Sequence, residues 1–132
     1  MTHRAGHLLL PSGTLLLLCT LAACGTTSGS SRGPANLLTR SEIETSSAVT
    51  AYDLIRELRP QFLRSRGVLS MDDPSGGGYA VVYMDEAFRG DLDALRTIVV
   101  EDVVEIRYIS PADATTRWGT GHAGGVIHVR GR

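Results

Sequence analysis

Both cysteines of this chain, Cys19 and Cys24, fall within its first 24 residues. Whatever folds after them has no disulfide framework and no cysteine metal site, so packing alone must hold it. The stretch that contains them is not built for a globular core. Residues 1–7 hold one arginine, Arg4, two histidines and no acid, and a leucine-dominated apolar run comes next, interrupted by Pro11-Ser12-Gly13. Its least broken part, 15–23, is shorter than the ~20 residues that span a bilayer. That is the pattern of an export signal rather than of a membrane helix. Residues 25–36 are rich in Gly, Ser and Thr with no apolar periodicity, which predicts a flexible tether. What remains, 37–132, suffices for one small core and not for two.

Leu21-Ala22-Ala23-Cys24 resembles the lipobox of bacterial lipoproteins. The resemblance implies a signal peptide over 1–23, diacylglyceryl transfer to the Cys24 sulfur, cleavage before it, and a lipidated tether over 24–36. On the residues alone, an ordinary signal cleaved near Ala23 or an uncleaved anchor stays open. One acyl chain holds a protein only marginally and two hold it stably, at about 0.8 kcal/mol per buried CH₂. In the lipoprotein family, Gly25 where aspartate would retain the protein implies onward sorting to the outer membrane, at its periplasmic face.

The chain carries 13 basic and 14 acidic residues, and Arg4 is the only charged side chain ahead of Cys24. The mature protein is therefore slightly acidic. Nucleic-acid-binding domains are typically strongly basic, so no nucleic-acid partner is expected.

Within 37–132 the pattern is mixed. Thr39 with Glu42, and Ser41 with Glu44, both fit capping-box spacing and predict a short helical turn. Ala51, Leu54, Ile55, Leu58 and Phe62 recur at helical spacing on one face, and Pro60 must kink or divide that helix. Strands are expected at 67–71 and 79–85, joined by the loop 72–78. Asp91 can cap a short helix carrying Leu92 and Leu95. A third strand spans 103–109, with Val104, Ile106 and Tyr108 on one face and Glu105 and Arg107 on the other. Ser110-Pro111-Ala112-Asp113 is a strong helix start, a capping hydroxyl followed by proline at the first helical position. Glycines 119 and 121 end that helix near Trp118, and 125–130 is the last strand. Without a βαβ rhythm, this predicts a small α+β domain: a short mixed sheet with two to four helices.

Several chemistry-bearing patterns are weaker than they look. Gly119-Thr-Gly121-His-Ala-Gly124 spells the dinucleotide fingerprint. That motif must come after a strand, open a helix and be answered by an acid about 20 residues on; here a helix precedes it and a strand succeeds it. Ser110, His122 and Asp85 could be assembled on paper into a hydrolase triad, but Ser110 belongs to a helix cap and no nucleophile-elbow spacing surrounds it. His122 and His128, six apart across a glycine turn, suit no common metal-ligand pair and read as isolated exposed histidines. Asp91 and Asp93 are explained by capping and by the helix dipole. Arg56, Arg59, Arg64 and Arg66 read as a solvated basic face, with a contact to acidic lipid or a partner as the alternative. No catalytic residue, cofactor or metal is expected.

Four segments match something longer: Tyr79-Ala-Val-Val-Tyr-Met-Asp85, Leu92-Asp-Ala-Leu95, Val103-Val-Glu-Ile-Arg-Tyr-Ile-Ser-Pro-Ala-Asp113 and Trp118-Gly-Thr-Gly-His-Ala-Gly-Gly-Val-Ile-His-Val-Arg130. In this order they resemble the plug domain of TonB-dependent outer-membrane receptors, and Ala51-Tyr-Asp-Leu-Ile-Arg-Glu-Leu-Arg-Pro60 looks like that domain's early helix. The resemblance implies structural roles for Asp85, Pro111, Trp118, Gly119, Gly124 and Gly125. It departs from the family at Glu86, where a glycine would come after the aspartate, so a different turn is expected there. The chain also has no barrel of the ~22 strands that such receptors carry, and its tether has no obvious TonB box. The expectation is therefore a plug-like lipoprotein acting as a non-enzymatic binding or accessory module of an outer-membrane transport complex. Its partners would be the membrane, through lipid, and an outer-membrane β-barrel or other envelope protein. The alternative is a structural or regulatory envelope lipoprotein with no transport role.

Overall fold

The computed structural model describes residues 33–66 and 77–132. The strand expected at 67–71, most of the loop after it, and Cys24 with the preceding signal lie outside the described residues. The domain is α+β: strands β1 (Leu37–Leu38), β2 (Val81–Met84), β3 (Ala87–Gly90), β4 (Val103–Ile109) and β5 (Val126–Gly131) form one sheet in the order β1-β4-β5-β2-β3. All neighbours are antiparallel except β2 and β5, which run parallel. Helices α1 (Arg40–Thr45), α2 (Ala51–Leu58) and α3 (Pro111–Trp118) complete it, with short 3₁₀ turns at Pro60–Leu63, Leu92–Arg96 and Val100–Asp102. Among the described residues no helix is long and apolar enough to cross a membrane.

Local chemistry sets the helix ends. Glu42 accepts the Thr39 N–H at 3.0 Å, so the first of the two capping patterns opens α1. Thr50 caps α2 by accepting from the Asp53 N–H. Pro60, unable to continue the helix, divides it: α2 stops at Leu58 and a 3₁₀ turn carries Phe62 into the core. Ser110 caps α3 in the same way as Thr50, with Pro111 in its first turn.

The two faces of the sheet are covered unequally. On one, Leu38, Val82, Val103, Ile106, Ile127 and Val129 pack against Ile43, Leu54, Ile55, Phe62 and Leu95 from the helices and turns. On the other, α3 lays Ala114 and Trp118 over Val81, Tyr83 and Val126. Strand β4 departs from simple alternation. Its register against β5 shifts between Val103 and Glu105, so Val103 and Ile106, three residues apart, are both fully buried while Val104 is only half-buried. A bulge places an extra residue on one strand and re-aims the side chains beyond it, which corrects the expectation that Val104 lies on the core face.

Ile106 is fully buried, whereas Arg107 is exposed and paired with Glu105 at 3.2 Å. Ile106→Ala should cost about 2–5 kcal/mol, and Arg107→Ala about 0.5 kcal/mol or less. Thermal melts of the two variants check this; equal losses would mean that β4 is one residue out of register.

Candidate functional site

The densest set of aromatic and titratable side chains lies where α3 ends against β2 and β5. Period-two alternation along β2 turns Val81 and Tyr83 toward α3 and Val82 toward the main core. The Tyr83 ring stacks on Trp118 with centroids 4.6 Å apart and meets Phe88 edge-on at 5.5 Å. Phe88, on the edge strand β3, is 53% exposed.

His122 closes the cluster from the glycine-rich segment. Its Nδ1 lies 2.9 Å from the Gly119 carbonyl and its Nε2 lies 3.0 Å from the Tyr83 hydroxyl. A carbonyl can only accept, so Nδ1 carries a proton, and in the neutral tautomer this selects, Nε2 accepts from Tyr83. Burial pushes the Tyr83 pKa up, which keeps that hydroxyl a donor. His122 is 7% exposed, against the expectation of an isolated exposed histidine. The sequence showed a lone histidine among glycines, and its partner is 39 residues upstream.

The remaining segment explains its own glycines. A side-chain carbon on Gly124 would stand 2.0 Å from the Tyr79 carbonyl oxygen. Gly125 has φ +82°, and a side-chain carbon there would stand 2.3 Å from the Tyr108 hydroxyl. That hydroxyl donates to the Gly124 carbonyl at 2.9 Å and accepts from Arg66 Nε at 2.6 Å. Asp85 accepts the Gly131 N–H at 2.9 Å. Thus Asp85, Pro111, Trp118, Gly119, Gly124 and Gly125 all stand at junctions where strands or α3 begin or end.

Glu86 keeps the left-handed turn that a glycine would have favoured, with φ 48° at Asp85 and 71° at Glu86, as a two-residue hairpin loop requires. Its carboxylate pairs with Arg117 on α3 and lies 3.3 Å from His128 Nε2 on β5. Sequence reading missed Tyr83, Glu86 and Arg117 as a group, although the alternation of β2 could have flagged Tyr83.

The alternative chemistries do not assemble. Ser110 Oγ is bonded to Asp113, Asp85 to the β5 backbone, and His122 to Tyr83 and Gly119, so each member of the paper triad is engaged elsewhere. The 119–124 glycines lie between α3 and β5 and open no helix, so they offer no helix N-terminus for a pyrophosphate. Among the described residues no group of three metal-ligating side chains occurs.

The arginine cluster also divides. Arg56 and Arg64 are exposed and Arg66 lies over the Tyr108 ring, but Arg59 is 4% exposed. It donates to Glu42 at 2.7 Å and to the Leu37 and Leu58 carbonyls. The expectation of a solvated face fails at Arg59, because the end of α2 turns inward against β1 and α1. No family model, curated protein or solved structure matches this chain.

Proposed function

We propose that this chain is a lipid-anchored outer-membrane protein whose domain over 37–132 is a plug-like, non-enzymatic module serving an outer-membrane transport complex. The observation that carries the reading is the four-segment resemblance, taken with the order of elements. A strand and its hairpin partner, a short helical turn, a strand, a Ser-Pro helix and, after a glycine bend, a final strand succeed one another as β2, β3, 92–96, β4, α3 and β5. The anchor rests on Leu21-Ala22-Ala23-Cys24 alone.

Two experiments test the two halves. Cys24→Ser should abolish acyl labelling and leave the protein soluble or uncleaved. Mature-sized Cys24→Ser protein that still partitions into membrane would put the anchor elsewhere. Affinity capture of the wild type from detergent-solubilised envelopes should bring down a β-barrel of the outer membrane. Capture of the chain without any barrel would instead favour a structural or regulatory lipoprotein.

A further inference from the structure

The β2–β3 turn is tied to two elements through one atom. Oε1 of Glu86 serves both Arg117 at the end of α3 and His128 on β5. The two ties differ in setting. The Arg117 and Glu86 side chains are 47% and 52% exposed, whereas His128 is only 12% exposed. His128 Nε2, although 3.3 Å from the carboxylate, is buried and makes no hydrogen bond among the described residues. The imidazole thus sits beside a carboxylate that it does not engage, and that carboxylate is committed to an exposed cation.

We propose that Glu86, His128 and Arg117 form a proton-operated partner exchange: protonation of His128 draws the Glu86 carboxylate onto β5 and releases the end of α3 from the turn. His128 is the more buried of the two cations, so its pairing with Glu86 is screened less by water and salt than the pairing with Arg117, and the imidazolium outcompetes the guanidinium for the same oxygen. The neighbouring charges leave Glu86 as the group that moves. Asp85, in the same turn, is held by the Gly131 N–H. Glu105 on β4 is held by Arg107, which stands across from His128 in the register, and by Arg130 on β5. Arg117 has a second resting place, since its guanidinium already lies 4.6 Å from the Trp118 ring centroid.

Burial pushes the His128 pKa down and Glu86 pulls it back up; Arg117 lowers it, and Asp85 and Glu105 raise it, with the net below 6.5. The exchange thus belongs to mildly acidic conditions. It acts on the last turn of α3, which carries Trp118 onto Tyr83, whose ring in turn meets the exposed Phe88.

The chain's single tryptophan gives a direct readout. The Trp118 and His128 rings are 6.0 Å apart, and an imidazolium at that range quenches indole emission. In the full chain, taken from about pH 8 to about pH 5, emission should fall with a midpoint below 6.5. The His128 ring signal in NMR should share that midpoint, and hydrogen-exchange protection of the Arg117 and Trp118 amides should drop across it. His128→Gln should remove the transition. His122→Gln should keep it, although His122 is also near Trp118, at 6.2 Å. Glu86→Gln should move the His128 midpoint lower and abolish the protection change. A transition that survives His128→Gln, or equal amide protection on both sides of the midpoint, would overturn the proposal. Should His128→Gln fail to fold, the wild-type midpoints decide: His128 and Trp118 titrating apart would also overturn it.

Discussion

An alanine at position 124 should remove a large part of the domain's stability. The new methyl carbon would sit 2.0 Å from the Tyr79 carbonyl oxygen, 2.2 Å from its carbonyl carbon and 2.6 Å from the Gly78 oxygen. All three are backbone atoms, so no side-chain rotation can relieve the overlap. Either the approach to β2 or the entry to β5 must shift, and these two strands form the parallel pair at the centre of the sheet. Overpacking typically costs about 1–3 kcal/mol where side chains can yield, and more where they cannot. We expect roughly 4 kcal/mol or more here, at the level that marks a named structural failure. Domains of this kind hold only about 5–15 kcal/mol in total. Gly119→Ala is the control. Gly119 has φ +87° and ψ −165°, a backbone region essentially confined to glycine, but a side-chain carbon there would meet nothing within 4 Å among the described residues, so that variant bears only a backbone cost of about 1–3 kcal/mol. Urea unfolding of the two variants separates lack of space from backbone conformation, and equal losses would show that the close approach at Gly124 is not real.

Arg59→Met should cost about 3–5 kcal/mol, the range for removing one partner of a buried ion pair. The variant would strand Glu42, whose side chain is only 13% exposed, and leave the Leu37 and Leu58 carbonyls without their guanidinium donor. Combining Arg59→Met with Glu42→Leu should recover part of the loss, since no unpaired charge then remains. Recovery is incomplete because Glu42 also caps α1, a contribution of about 1 kcal/mol. The wild-type pair makes its own pH prediction. Burial pushes the Glu42 carboxyl up, but the Thr39 backbone bond, the Arg59 and Thr39 side-chain bonds and the Arg59 charge together bring it below the ordinary value of 4.5. A carboxyl with a depressed folded-state pKa contributes stability that is complete above its unfolded value and is lost as pH falls through the folded one. Stability should therefore decline below about 4.5, and Arg59→Met should flatten that decline. An unchanged acid limb in Arg59→Met would show that the pair does not set it.

How much of the fold and the cluster was legible in the sequence depended on whether the deciding partner was local. Helix α3 was readable from end to end because Ser110, Pro111, Asp113 and Gly119 are its own start and stop signals. Strand β4 was readable as a strand but not in its facing. Val103 and Val104 are equally suited to the core, and only the bulge against β5 chooses between them. Strand β1 is two residues long and β3 is exposed through most of its length, so neither shows an alternation to detect. The turn before β3 carries Asp85-Glu86 where a glycine would have announced it. Burial of Arg59 is decided by Glu42 and Leu37, 17 and 22 residues upstream, and burial of His122 by Tyr83. Charged and polar residues whose partners lie that far away carry no local mark of being inside.

The proposed role can be tested in one measurement, native mass spectrometry of the protein released from envelopes by mild detergent. The account predicts a mass for a chain that begins at Cys24 and bears acyl groups, held in a complex with an outer-membrane β-barrel. A chain that retains residues 1–23, or an acylated chain released with no barrel at any detergent concentration, would contradict it.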